Sequence, residues 1–257
     1  MKKQITALLS FAALSCAATA VQAVEREGVY FDVNENVQTN DSKVYNTQLG
    51  LGYKAVDEHG IFEVRGSGLY QKGYGDESDS YDHGNGFALD GMYKSPLLGG
   101  STRILAGARW QISKDEYTND EFSGDIRGNG YTFFGGAQFD LNPSLRLQAL
   151  ASWGRSKATY DKALFAGSAA NDIFNDDPEG DIKTTGLAFR LEYDVSANWT
   201  INAAAGFYRT SYDNIEADLT PMAAAYAFGD ASATRVWMEG SEDIRYSEYS
   251  IGARYQF

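Results

Sequence analysis

Imidazole-based catalysis has only two possible positions in this chain, because His59 and His83 are its only histidines. His59 follows Glu58 between two alternating apolar runs, which predicts an exposed turn. His83 lies in an acidic segment, with Ser78 and Ser80 as the nearest serines in the sequence. A hydrolase must hold its histidine within hydrogen-bond reach of a nucleophile, and a solvated acidic loop does not provide that geometry. The sequence therefore predicts no catalytic residue, no enzymatic activity, no cofactor and no metal site.

Charged residues of both signs alternate with apolar residues in several runs. A period of two is that of a β-strand, so the charges lie on one face and the apolar side chains on the other. The members of this set are Glu63, Arg65, Asp90, Lys94, Arg103, Arg109, Asp140, Arg146, Arg190, Glu192, Asp194, Glu248 and Arg254. Because buried charges must be paired and hydrogen-bonded, we interpret the set as a salt-bridged plug inside a closed sheet. The alternative is a selective path in which the arginines other than Arg103 draw anions inward.

The elements that would position these charges are strands. Ten segments alternate well enough to be predicted, at about 27–34, 43–55, 61–73, 85–95, 102–113, 128–140, 145–156, 183–194, 199–211 and 245–257. Aromatic residues of the apolar face lie mostly near the strand ends, as in the girdles of a membrane barrel. No stretch after residue 23 has the ~20 continuous apolar residues of a membrane-spanning helix. The predicted fold is all-β, a closed antiparallel up-and-down transmembrane β-barrel of ten strands, with eight or twelve as alternatives.

The connections between these strands alternate in length. Short turns are predicted at 56–60, 96–101, 141–144 and 195–198, and longer, mostly acidic loops at 35–42, 74–84, 114–127, 157–182 and 212–244. In barrels of this type the short turns face the periplasm and the long loops face outward. The acidic runs do not have the spacing of a Ca²⁺ loop, so we interpret them as solvated loops.

Two features concern the space at the loop end of the barrel. Above the salt-bridged plug, which would seal the base of the barrel, small or neutral inward residues predict a cup that is open to the outside. These residues are Ser67, Ala88, Gly107, Gly136, Ser152, Gly206 and Ser250. The long apolar segment Leu219–Ala233, together with residues 163–166, is predicted to fold inward as a cap. Contact with the membrane or with a partner is the alternative for this segment.

The two ends of the chain carry targeting patterns. Lys2 and Lys3 precede an apolar stretch and a small-residue site, which predicts a secretory signal peptide over residues 1–23 and a barrel over residues 24–257. Cleavage after Ala20 or after Ala23 fits the pattern. Lipidation at Cys16 is a further alternative, although the preceding residues make a poor lipobox. At the other end, one strand face is formed by Tyr249, Ile251, Ala253, Tyr255 and Phe257.

Composition limits the classes of partner. The formal net charge is -13, so the chain is a poor candidate for binding nucleic acid. It contains 17 Tyr, 14 Phe and 27 Gly with a mean hydropathy of -0.39, which is typical of strands that alternate between lipid and lumen. A secreted soluble β-sandwich is the alternative, but sandwich strands rarely carry long charged runs on their inner face.

With its signal peptide, alternating strands, unequal loops and terminal Phe257, the chain resembles the Gram-negative outer-membrane β-barrel proteins, including the small porin-like and ten-stranded barrels. The resemblance implies a monomer in the outer membrane with both termini in the periplasm. It implies contact with outer-membrane lipid and lipopolysaccharide, and recognition of the C-terminal strand by the barrel assembly machinery.

The predicted role is that of a surface structural or interaction protein with a closed lumen. The first alternative is a small porin-like channel, and the second is an omptin-like or lipid-modifying hydrolase. Omptins carry an Asp-X-His pair at the barrel mouth, whereas Asp82 and His83 are adjacent in this chain and no second histidine lies on an outer loop.

Overall fold

A computed structural model describes residues 25–39, 43–74, 81–118, 123–166, 169–213, 215–238 and 243–257. Ten of its strands are long: β1 Gly28–Thr39, β2 Lys43–Asp57, β3 Gly60–Tyr74, β4 Tyr81–Lys94, β5 Thr102–Thr118, β6 Ser123–Asn142, β7 Leu145–Tyr160, β8 Glu179–Asp194, β9 Trp199–Tyr212 and β12 Ile244–Gln256. Two short strands, β10 Ile215–Asp218 and β11 Arg235–Met238, lie in the last loop. The predicted signal peptide lies outside the described residues.

The ten long strands form a closed antiparallel barrel, which confirms the predicted fold class. Strands β1 to β9 each pair with their neighbours in the sequence, β9 pairs with β12, and β12 pairs with β1. The closing seam runs from Tyr30 opposite Gln256 to Thr39 opposite Ser247. Because the sheet is closed, its strands leave no row of unpaired backbone groups facing lipid.

Several strands are longer than the alternating pattern predicts, mostly at the loop end. β6 has 20 residues and begins at Ser123, and β8 begins at Glu179. The outward positions there are polar, so the apolar alternation disappears although the backbone pairing continues. The pattern therefore predicts where a strand crosses lipid, and underestimates how far it extends above the membrane.

The polarity of the two faces of the barrel wall is the reverse of that in a soluble protein, with apolar side chains outside and polar side chains inside. Large apolar residues such as Leu51, Phe62 and Leu187 are exposed on the outside, whereas polar residues such as Gln138 and Gln148 are fully buried inside. This distribution is expected for a barrel whose solvent outside is lipid. None of the helices in the described part of the chain is long and apolar enough to cross a membrane.

The fourth and fifth loops pack together into an outer subdomain, defined as residues 161–166, 169–178 and 215–238. It contains the helices α1 (Ala163–Ala166), α2 (Ala170–Ile173) and α3 (Pro221–Phe228) and the hairpin β10–β11. Its core is formed by Phe174, Ala217, Leu219 and Ala224. The Thr220 side chain accepts a hydrogen bond from the Ala223 N–H at the start of α3, and Gly229 ends the helix with φ 73°.

The predicted association of the two loops is confirmed, whereas the inward fold of Leu219–Ala233 as a cap stays a prediction. The main lumen cavity is lined only by residues of the barrel strands, and none of its lining comes from the outer subdomain. The apolar residues of the segment instead pack against Phe174 and neighbouring residues of the fourth loop. Two loops that bury apolar surface against each other do not need the barrel mouth to do so.

Candidate functional site

Near the short turns the lumen contains a layer of ion-paired side chains centred on Glu63, which we call the base layer. The Glu63 side chain is only 3% exposed, and its carboxylate lies 3.1 Å from Lys94 Nζ, 3.3 Å from Arg254 Nη1 and 3.9 Å from Lys54 Nζ. Lys54 also contacts Glu25 at 2.9 Å. Each of these charges is therefore compensated inside the barrel, as a buried ionised group requires.

A second group of ion pairs lies next to the base on the side of β3 to β5. Arg65 joins Asp32 at 3.2 Å to Asp90 at 2.8 Å. Arg109 Nε donates to Asp90 Oδ1 at 2.6 Å, so Asp90 is shared between two guanidinium groups. The Arg254 guanidinium lies 4.2 Å from the centre of the buried Tyr30 ring.

The opposite wall of the base is held by Arg146. Its guanidinium lies 2.6 Å from Asp194, 3.4 Å from Glu192 and 3.7 Å from Glu25. These three carboxylates come from β8 and from the segment before β1, so Arg146 ties the N-terminal segment to the far side of the barrel. Small barrels of this size have interiors that side chains can fill, and this base is an example.

The structure brings together nine of the thirteen lumen charges on which the sequence prediction was based. These are Glu63, Arg65, Asp90, Lys94, Arg109, Arg146, Glu192, Asp194 and Arg254. The other four, Arg103, Asp140, Arg190 and Glu248, form no ion pair within the described residues. Arg103 donates to the Ser95 carbonyl and Asp140 accepts from Gln138 instead.

Three members of the network were not predicted. Asp32 and Lys54 occupy inward positions of β1 and β2, and extending the alternation to every inward residue would have found them. Glu25 precedes the first strand and has no periodic signal. It enters the network because the chain before β1 passes beside Lys54 and Arg146.

Above the base lies a chamber, a cavity of about 310 Å³. Four arginines face it, namely Arg65, Arg109, Arg190 and Arg254, together with the carboxylates of Glu63, Asp90 and Glu248. Tyr208 also lines the chamber and stacks on Tyr246, with ring centres 5.2 Å apart.

The chamber is smaller than the predicted cup because neighbouring side chains fill most of the positions left by small residues. The Tyr208 ring covers Gly186 and Gly206, and the Phe134 ring covers Gly107, so that none of these glycines has room for a Cβ. Ser67 and Ala88 are fully buried rather than open to the lumen. Of the predicted cup residues, Ser152, Gly206 and Ser250 line the chamber.

The outside of the barrel carries basic residues just above its aromatic girdle. We call this set the basic belt; it consists of Lys43, Lys72, Lys114, Arg127, Arg155, Lys157, Lys183, Arg209 and Arg245. Lys72 occupies the next outward position after Tyr70, Arg155 after Trp153, and Arg209 after Phe207. Every long strand except β1 and β4 therefore carries at least one lysine or arginine at this level.

Three pairs of basic belt residues lie directly opposite each other on neighbouring strands: Lys114 and Arg127, Arg155 and Lys183, and Arg209 and Arg245. Like charges in directly opposed positions destabilise a sheet. Interleaved carboxylates offset this in part, since Asp125 contacts Lys114 at 3.5 Å and Arg127 at 2.9 Å, and Asp213 contacts Lys183 at 2.7 Å.

The outer subdomain exposes large apolar side chains on the side away from its core. We call this set the outer patch; its exposed fractions are 96% for Tyr226, 70% for Met222, 63% for Trp237 and 58% for Phe228. At the turn after α3, Ser232 donates both its O–H and its N–H to Asp230, which lowers the pKa of that carboxyl. The turn that borders the patch is therefore stabilised by an ionised group.

The two histidines that were considered as catalytic residues both lie outside the chamber. His59 is exposed in the turn between β2 and β3, beside Glu58. His83 Nε2 lies 3.1 Å from Glu116, on the outward face of the wall and away from the chamber. No group of three or more His, Cys, Asp or Glu side chains in the described ranges could hold a metal ion.

The C-terminal strand has the predicted apolar outer face. Tyr249 and Ile251 are exposed on the barrel wall, and Tyr255 packs edge-on against Phe257 with ring centres 5.1 Å apart. Phe257 donates its backbone N–H to Val29, which places the last residue at the closing seam. Recognition of this strand by the barrel assembly machinery stays a prediction.

The chain matches no protein-family model, and no curated protein sequence matches it. Among solved structures it is similar to the translocator domain of the autotransporter NalP from Neisseria meningitidis, with a TM-score of 0.52 and 12% sequence identity over 100% of this chain and 96% of that one. The β domain of the Bordetella autotransporter BrkA aligns with a TM-score of 0.47 and 13% identity, covering 91% and 100% of the two chains. The outer membrane protease OmpT from Escherichia coli aligns with a TM-score of 0.46 and 8% identity, covering 90% and 94%.

The similarity to the NalP translocator domain shows a shared β-barrel fold and nothing finer. At 12% identity it carries no activity or substrate to this chain.

Proposed function

We propose that this protein is a surface interaction protein of the Gram-negative outer membrane, with both termini in the periplasm and a non-conducting lumen. The observation that carries the proposal is the outer patch. Residues of the fourth and fifth loops fold around a core of their own and leave Met222, Tyr226, Phe228 and Trp237 exposed on one subdomain. Exposed aromatic clusters of this kind are typical of protein interaction sites.

The occupant that best fits the outer patch is a protein with a complementary apolar surface. Tyrosine, tryptophan, phenylalanine and methionine are the residues enriched at the centres of protein interfaces. The patch belongs to the loop end of the barrel, the end that faces outward in barrels of this class. The ion-paired base supports a role outside the lumen, because it leaves no wide passage beside Glu63 and Arg254.

A photo-crosslinking phenylalanine analogue tests this role on intact cells. Placed at Tyr226, it should give a discrete protein adduct, because this side chain is the most exposed of the patch. The same analogue at Ser232, which is also exposed but lies in a polar turn, should give at most a tenth of that yield, an order-of-magnitude expectation for a position outside a desolvated contact. Equal yields at the two positions, or no adduct at Tyr226, would contradict the proposal.

We further propose that the basic belt contacts the phosphate groups of lipopolysaccharide. The belt residues lie one to three outward positions beyond the nearest outward aromatic residue of their strand, at the level of lipid headgroups. Phosphates inserted between opposed pairs such as Lys114 and Arg127 would remove their repulsion, and divalent cations would join the interleaved carboxylates to the same phosphates.

Replacing Lys114 and Arg127 together with glutamine should weaken binding of purified lipopolysaccharide to the refolded protein. Each basic residue near an anionic lipid surface contributes about 1 kcal/mol, so the dissociation constant should rise roughly 30-fold. Arg235→Gln is the control, because Arg235 is exposed on the outer subdomain and does not belong to the belt. An unchanged dissociation constant in the double variant would contradict the assignment.

A further inference from the structure

Arg190 differs from the other three arginines that face the chamber. Arg65 is paired with Asp32 and Asp90, Arg109 with Asp90, and Arg254 with Glu63 and Asp32. Arg190 forms neither a hydrogen bond nor an ion pair with any residue that the structure describes. Its guanidinium lines the chamber, and its N–H groups, up to five in number, have no hydrogen-bond acceptor among the residues that the structure describes.

Glu248 is the matching exception among the carboxylates that face the chamber. Glu63 and Asp90 contact cations, whereas Glu248 accepts only a hydrogen bond from Gln38, at 3.2 Å. Arg190 and Arg109 attract Glu248 electrostatically, yet no cation lies within 4 Å of it among the described residues. The chamber thus holds one unmatched cation and one unmatched anion that do not reach each other.

The spacing of the strands explains why these two groups remain apart. Arg190 is on β8 and Glu248 is on β12, with β9 between them. Adjacent strands are about 4.8 Å apart, so the backbones of β8 and β12 are separated by roughly 10 Å. Between the two charges β9 presents the small residues Ala204 and Gly206, and the Tyr208 ring lies over Gly206. The guanidinium, the carboxylate and the Tyr208 ring all line the chamber.

The rest of the chamber lining supplies hydrogen-bonding groups and one aromatic face. Polar side chains come from five other strands and from β12 itself; they are Asn34, Asn36, Gln48, Gln111, Thr132, Gln148, Ser152 and, on β12, Ser250. Tyr208 presents its ring beside them. Concave sites that bind small molecules combine a few charged anchors with such groups, in volumes of roughly 300–1,000 Å³, and about 310 Å³ falls within this range.

We propose that the chamber binds a small hydroxycarboxylate, with its carboxylate on Arg190 and a hydroxyl group donating to Glu248. A guanidinium binds a carboxylate through two parallel hydrogen bonds, which gives Arg190 the acceptors that the protein does not supply. A carboxylate such as Glu248 accepts a hydrogen bond from a hydroxyl group, so this contact does not require a second buried cation. This ligand site is independent of the outer patch and of the basic belt.

The test is isothermal titration of the refolded, full mature chain in detergent with sodium D-gluconate as the probe. D-glucitol has the same carbon chain without the carboxylate, and acetate has the carboxylate without the hydroxyls. Gluconate should bind, and Arg190→Gln should weaken binding roughly 10- to 100-fold, the effect of losing a charged hydrogen-bonded pair. Glu248→Gln should weaken gluconate binding and leave acetate binding unchanged.

The controls separate this site from a general effect of charge or folding. Arg155→Gln removes an arginine from the outward wall, where it contacts Asp181, and should leave gluconate binding unchanged. Arg190→Lys keeps the charge without the planar fork and should bind more weakly than wild type but more tightly than Arg190→Gln. Absence of gluconate binding in the wild type, equal affinity for D-glucitol, or an unchanged affinity in Arg190→Gln would overturn the proposal.

Discussion

Replacing Glu63 with glutamine should lower the free energy of unfolding by about 3–5 kcal/mol, the cost of removing one partner from a buried ion pair. Lys94 and Arg254 both contact the Glu63 carboxylate, at 3.1 and 3.3 Å, and Lys94 is fully buried. Glutamine has nearly the same shape but carries no charge, so two cations would remain in the base with incomplete compensation. The measurement is urea-dependent folding into phospholipid vesicles, followed by tryptophan fluorescence.

A double variant separates loss of charge from loss of packing. In Glu63→Gln combined with Lys94→Met, the buried Lys–Glu pair is removed as a whole, while Lys54 keeps Glu25 and Arg254 keeps Asp32. The double variant should regain most of the stability lost by the single one, because neutral replacement of a complete buried pair costs little. If both variants were equally unstable, packing rather than electrostatics would explain the contribution of the base to the free energy of unfolding.

Glu35→Gln is the matched control for this series. Glu35 lies on the same sheet but on its exposed outer face, where it accepts a hydrogen bond from Thr47 at 3.0 Å. Its replacement should change the free energy of unfolding by no more than about 0.5 kcal/mol. A loss as large as that of Glu63→Gln would show that the barrel responds to any lost carboxylate.

The wild-type protein should give no conductance steps in a planar bilayer, whereas Glu63→Ser combined with Lys94→Ser should give discrete ones. Both side chains lie in the base and are nearly inaccessible, so shortening them removes material from the ion-paired layer across the lumen. The chamber already provides about 310 Å³ above this point. The remaining cations Lys54 and Arg254 each keep a carboxylate partner, so the variant stays close to charge balance.

The control for this experiment removes a similar ion pair from the outside of the barrel. Lys114 and Glu116 contact each other at 2.9 Å on the outward wall, and replacing both with serine should leave the bilayer silent. Heat-modifiable gel mobility shows that each variant has folded before its conductance is recorded. Steady steps from the wild type would contradict the closed lumen and favour the porin-like alternative.

Much of this fold follows from the sequence, because successive residues of a barrel strand face lipid and lumen in turn. A strand that crosses lipid must alternate, so Leu49, Leu51 and Tyr53 could be placed outside and Gln48 and Lys54 inside from spacing alone. The number of strands and their order followed from the same period and from the lengths of the connections. The ends of β6 and β8 could not be predicted, because water solvates both faces of a strand above the membrane.

Which charges pair in the lumen was decided only by the tertiary structure. Alternation places Arg190 and Arg254 on the same inner face, and nothing in their spacing distinguishes the arginine with two carboxylates from the one without any. Pairing depends on register, on strand order around the barrel, and on the passage of Glu25 beside Arg146. These contacts join residues that are distant in sequence, so no local pattern contains them.

The shape of the empty space was also decided only by the tertiary structure. A glycine in a strand has the same sequence signature whether it faces a cavity or accommodates a neighbour, and Gly107 and Gly206 accommodate Phe134 and Tyr208. The sequence by itself determined that there would be a barrel with an apolar outside and a charged inside, since lipid and lumen impose a period of two on each strand. The size of the chamber, the unmatched charges within it and the packing of Leu219 against Phe174 depended on contacts between strands and loops.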